Sequence, residues 1–141
     1  MRLFAAAAIV VAAIAAHFYA MDAGIYVAQL REGTVWFDNV LHACAGIATG
    51  LVWISFLKRF KPDTSFFGAA LTLLAVVALA AVVWEAFEYA FYLVFKSGAL
   101  GLTVYEPSIQ ESLFDSASNI GGAMLLLAAW ALLRRLNATA E

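Results

Sequence analysis

Charge is scarce in this sequence. Only 13% of its 141 residues are Asp, Glu, Lys or Arg. No long run of either sign occurs, which argues against a dedicated nucleic-acid surface or a polybasic lipid-binding tail. There is one cysteine, Cys44, so an intrachain disulfide and any CxxC metal or redox pair are excluded. Set in an apolar segment, Cys44 reads as a small buried hydrophobe. No GxGxxG, Walker loop, GxSxG or HExxH motif occurs, and nucleotide-dependent or triad chemistry therefore has no support. Internal repeats and low-complexity linkers are absent too.

What fills the space instead is apolar. The apolar fraction is 65% and the mean hydropathy +0.90, against roughly 45–50% apolar residues in soluble domains. A soluble fold of this size has too few interior positions to hide that much apolar surface. Lipid is the better solvent, and the length is that of one domain.

A membrane-crossing helix needs ~20 mostly apolar residues. The sequence supplies four such segments, at about 3–20, 37–57, 66–95 and 112–133. A cleaved signal peptide is the competing reading of the first, since Arg2 and an alanine-rich stretch fit one loosely. His17, Phe18 and Tyr19 continue that segment without a clean small-x-small cleavage site. The expected fold is therefore all-α, a four-helix transmembrane bundle. Gly98 to Gln110, with Gly101 and Pro107, reads as a loop on the external side. Cations set the orientation: Arg2, the Lys58/Arg59/Lys61 group and Arg134/Arg135 all fall on one side of an even-span protein. The positive-inside rule then puts both termini in the cytoplasm, as in a bacterial inner membrane. Tyr26 and Trp36 near one interface, and Trp130 near the other, suit aromatic belts.

Against this background a few polar residues stand out. Asp38 and His42 are i and i+4 on one face of the second span, a face continued by Gly46, Thr49 and Trp53. Glu85 and Glu88 are i and i+3 in the third span, beside Tyr89 and Tyr92. In the fourth, Asp115 and Asn119 are i and i+4, with Glu111, Ser118 and Gly122 alongside. Counting ~1.5 Å per residue, all three polar faces fall in the external half of the membrane. An unpaired Asp near the bilayer centre costs ~2.5–3.5 kcal/mol, less toward the interface. Four unrelieved carboxylates could together offset a whole domain's typical ~5–15 kcal/mol of stability. They are expected to face inward, relieved by protonation, hydrogen bonds, water or a cation. Small residues allow helices to approach: Gly46 and Gly50 form a GxxxG pattern, and Gly121 and Gly122 follow Asn119.

The run Phe37-Asp38-Asn39-Val40-Leu41-His42 with Gly46, then Trp84-Glu85-Ala86-Phe87-Glu88, then Asp115-Ser116-Ala117-Ser118-Asn119-Ile120-Gly121-Gly122, resembles the VanZ-like and YjdF-like families of small bacterial membrane proteins. The likeness covers about residues 36–133. It implies a polytopic inner-membrane protein, one branch of those families being linked to glycopeptide-antibiotic resistance, and it implies no settled reaction. Glu88 stands where VanZ-like members often have glutamine, and the chain is shorter than YjdF-like proteins.

Three functions compete. His42 with Asp38, Glu85, Glu88 and Asp115 offers one nitrogen and several oxygens, a donor set for Zn²⁺, Mn²⁺ or Mg²⁺. Asn119, Tyr89, Glu111 and Ser118 would support it. A metal with an open position could activate water against a lipid-linked or headgroup substrate. The same groups suit a proton- or cation-coupled carrier or a lipid-handling protein, which with four short helices would work as an oligomer. The third reading is structural: Asp38 and Ser112 cap helices, Asn119 bonds between helices, and the chain is an accessory subunit of a larger membrane complex. The expected partners are membrane lipids, with no nucleic acid. His17 lies near an interface, where a histidine reaching toward water is ordinary.

Overall fold

The computed structural model describes residues 2–25, 36–96 and 108–138. Among them are four α-helices and no strand: α1 (Arg2–Asp22), α2 (Trp36–Phe60), α3 (Phe66–Phe95) and α4 (Ile109–Ala138). All four are long and apolar enough to cross a membrane. The expected four-helix membrane bundle is thus the observed architecture. Tyr26, Arg31, Glu32 and most of the expected external loop lie outside the described residues.

The helix ends follow from local chemistry. α1 closes at Gly24, whose φ of 68° is the left-handed conformation that a side-chain-bearing residue resists. α2 ends on Lys58 and Arg59, cations at the negative end of the helix dipole. A short turn follows, and Ser65 caps α3 by accepting from the Gly68 N–H at 3.1 Å. α4 begins at Ile109, earlier than the polar face alone suggested. Ser108 Oγ accepts from the Glu111 N–H and the Glu111 carboxylate accepts from the Ser108 N–H, each at 3.1 Å. This reciprocal capping box satisfies two otherwise orphaned donors. The cap is therefore Ser108 and not Ser112, whose own N–H already bonds back to the Ser108 carbonyl.

α2 is the hub: α1, α3 and α4 all pack on it, and α3 also packs on α4. α2 and α4 run parallel, because partners rise together along both: His42 meets Asn119, Gly50 faces Leu126, and Lys58 stands over the Trp130 ring. The helices interlock in the half of the bundle nearest Lys58 through Ile54, Leu73, Val77, Ala123 and Leu127. Trp53 Nε1 donates to Thr72 Oγ1 across α2 and α3 there, at 3.0 Å. Most large apolar side chains, Phe4, Leu79, Val83 and Leu125 among them, point outward. In water that arrangement would be unfavourable at about 25 cal/mol per Å² of exposed apolar area; in a bilayer it is solvated.

Candidate metal centre

The other half of the bundle is polar at its centre. Among the described residues the buried polar side chains are His42, Asp115 and Asn119, and their placement starts with backbone contact between α2 and α4. A Cβ built on Gly46 would overlap the Asn119 carbonyl, and one built on Gly122 would overlap the Ala43 carbonyl. The two contacts are reciprocal, each glycine lying against the carbonyl of the facing helix, the geometry of close helix crossings in lipid. Gly50 faces side chains, those of Leu126 and Leu73. Gly121 meets nothing within 4 Å. It is rotated by one residue, about 100°, off the seam, and takes no part in this close approach.

Such proximity lets short polar side chains join the helices. Asn119 Nδ2 donates to His42 Nδ1 at 3.0 Å and to the Asp115 carbonyl at 3.0 Å. Ser118 Oγ donates to Asn39 Oδ1 at 3.3 Å. A main-chain carbonyl can only accept, so the Asp115 carbonyl fixes the Asn119 amide with its NH₂ group inward. Both amide hydrogens are then engaged, His42 Nδ1 is an acceptor, and the ring proton sits on Nε2. Nε2 faces Asp115 Oδ2 at 3.7 Å and Asp38 Oδ2 at 3.8 Å, beyond hydrogen-bond reach.

From α3 come Glu85 and Glu88. One ligand atom from each of His42, Glu85, Glu88 and Asp115 lies within 4.8 Å of all the others. Ligand bonds of ~2.0–2.2 Å around a tetrahedral ion put donor atoms ~3.3–3.6 Å apart. A regular group with 4.8 Å edges stands about 0.8 Å per atom outside that ideal, a side-chain adjustment. Glu85 Oε1 is buried with no hydrogen-bond partner, which is costly for a carboxylate unless a cation satisfies it.

The remaining residues singled out in the sequence distribute around this group. Asp38 stands at its rim, its side chain 28% exposed. Tyr89 is exposed and lies 6.5 Å, ring to ring, from Tyr92. It lines a crevice beside Glu85 rather than the cluster. Glu111 closes the capping box, and Ser118 serves the α2–α4 contact. His17 packs edge-on to Phe18 and is not one of the four grouped residues. Asn39 carries a contact that sequence reasoning passed over. Its only signal was its position three residues before His42, on the same helix face.

Fold and site together define a polytopic helical membrane protein with ionisable groups gathered between its spans. Residues 1–136 match the family described as predicted membrane protein, DUF2238, and the chain belongs to that family. Membership supports the small-membrane-protein part of the expected resemblance and does not reach as far as the VanZ-like or YjdF-like families themselves. No curated protein and no solved structure matches the chain.

Proposed function

We propose that this protein binds one divalent cation inside the membrane at His42, Glu85, Glu88 and Asp115, and uses a fifth coordination position, beyond these four ligands, to activate water against a lipid-linked or headgroup substrate. The observation that carries this reading is the convergence of four donor atoms from three helices within 4.8 Å, Glu85 among their residues and its Oε1 buried without a hydrogen-bond partner. One imidazole and three carboxylates favour Zn²⁺ or Mn²⁺ over Mg²⁺, which keeps most of its waters. The ion would enter through His42 Nε2. The single ring proton would then sit on Nδ1 instead of Nε2, which requires the Asn119 amide to give up the Asp115 carbonyl and turn its oxygen toward the ring. The sequence resemblance to VanZ-like and YjdF-like proteins supports a bacterial inner-membrane setting. Lys58, Arg59, Lys61, Arg134 and Arg135, all at the end of the bundle away from the cluster, support cytoplasmic termini.

Elemental analysis of detergent-purified protein tests the reading. About one equivalent of metal is expected, lost in His42→Ala and in Glu85→Gln. Protein free of metal, with a melting temperature that chelators and added Zn²⁺ or Mn²⁺ leave unchanged, would refute it. One observation favours a second reading: His42 Nε2 faces oxygens of Asp115 and Asp38 at 3.7 and 3.8 Å, an arrangement that suits cation–proton exchange by an oligomer. That reading requires proton-driven flux in liposomes, abolished by Glu85→Gln.

A further inference from the structure

On the flank of the cluster, α3 and α4 diverge and leave a crevice of about 430 Å³, within the range of ~300–1,000 Å³ typical of small-molecule sites. Its walls carry Glu85 and Tyr89 of α3 and Ser108, Ser112 and Ser116, which bracket the first two turns of α4. Val82 and Leu113 line it among these hydroxyls. The serines recur at i, i+4 and i+8, so they stand in one row down the helix. Tyr89 and Ser108 lie toward the end of the bundle, Glu85 and Ser112 one turn deeper, and Val82 and Ser116 deeper still. The crevice wall is mostly apolar at every level, with the hydroxyls of Tyr89, Ser108, Ser112 and Ser116 as small polar points along it, a mixture that suits a lipid lying beside it. Glu85 belongs both to this crevice and to the four-donor group.

We propose that the crevice seats one membrane phospholipid, taken laterally from the bilayer, with its phosphate between the hydroxyls of Tyr89, Ser108 and Ser112 and the ion held through Glu85. The proposal rests on the metal reading, because only direct ligation of a phosphate oxygen by the ion lets a phosphate lie beside Glu85. Hydroxyls donate to phosphate oxygens, and Val82 and Leu113 accept the first methylenes of the chains. The volume holds the glycerol-phosphate portion and leaves the chain ends in the membrane. A diacylglycerol with identical chains would lack the only group the polar wall can select.

The test uses two probes in nanodiscs containing the full chain: a phospholipid with a photoreactive diazirine in its acyl chain, and the matching diacylglycerol. Mass spectrometry then locates the crosslinks. The expected result is labelling on residues 82–89 and 108–116, favouring the phospholipid about tenfold, the factor one charge-assisted contact is worth. Removing the metal should bring that ratio close to one. Ala86→Trp, placed at an exposed position on the crevice wall, should abolish labelling there while metal content stays the same. Tyr89→Phe with Ser112→Ala should lower the ratio several-fold. Labelling spread evenly over all lipid-facing helices, or equal for both probes with metal bound, would overturn the lipid seat and leave the metal reading standing. A strong phosphate preference in protein that holds no metal would overturn the role of the ion.

Discussion

Replacing Gly46 with alanine adds one methyl group at one of the two closest backbone approaches among the described residues. The atom it would strike is the Asn119 carbonyl oxygen, followed by the carbonyl carbon and Cα of the same residue. All three are backbone, so no rotamer change relieves the overlap. α2 and α4 must part by on the order of 1 Å before the methyl reaches ordinary contact distance. The Asn119–His42 bond, now 3.0 Å, would then exceed the ~3.5 Å at which it ceases to be a hydrogen bond. Overpacking of this kind costs about 1–3 kcal/mol, and losing the buried bond adds roughly 1–3 kcal/mol. We therefore expect Gly46→Ala to lower the melting temperature of the detergent-solubilised protein by several degrees and to reduce its metal content together. Gly122→Ala, against the Ala43 carbonyl, should behave alike. Gly121→Ala is the control: its methyl meets nothing, and removing a helical glycine can even add up to ~1 kcal/mol. If Gly46→Ala melts and binds metal as Gly121→Ala does, the seam does not hold the site in place.

Asn119→Asp presents a carboxylate acceptor to Nδ1–H of His42, the arrangement that strengthens metal-bound imidazoles. Metal affinity measured by competition with a chelating dye should rise about tenfold, and an unchanged or weaker affinity would refute the tautomer argument. Glu111→Ala removes one arm of the capping box and should cost about 1 kcal/mol of thermal stability. Its metal content should equal that of wild type, since the carboxylate serves the Ser108 N–H; lost metal would return Glu111 to the site. Leu73→Ala, at a side chain with 0% exposure, should destabilise by about 2–5 kcal/mol without altering metal stoichiometry, because it lies in the apolar half. Metal loss from that variant would show that the two halves of the bundle are not independent.

The four helices were legible because lipid imposes a length and a polarity on any segment that crosses it, and those show in composition alone. The site was legible for a related reason. Six ionisable or amide groups in apolar runs must be drawn inward, and spacings of three and four place them on shared faces, so depth and spacing suffice to group His42, Glu85, Glu88 and Asp115. Rotational detail was not legible. Gly121 and Gly122 were both expected to let helices approach, yet only Gly122, the one on the polar face, lies on the seam. Nor could Glu111 be told from a ligand, because the same carboxylate three residues after a serine is equally a helix cap. Asp38 shares its helix face with His42 yet stands only at the rim of the group. The partners of Asn119 could not be ordered in advance, since they depend on which main-chain carbonyl faces the amide.

The backbone-to-backbone seam has a mechanical consequence. His42 and Asp115 ride on two helices locked together, so their half of the centre is a fixed jaw. Glu85 and Glu88 arrive on α3, joined to α2 by the turn around Pro62 at the opposite end of the bundle. A helix anchored there acts as a lever some 30 Å long at ~1.5 Å per residue, so tilting it by only a few degrees opens or shuts the carboxylate side. On the proposed metal reading, ion capture would draw the carboxylates of α3 onto the fixed His42 and Asp115 side.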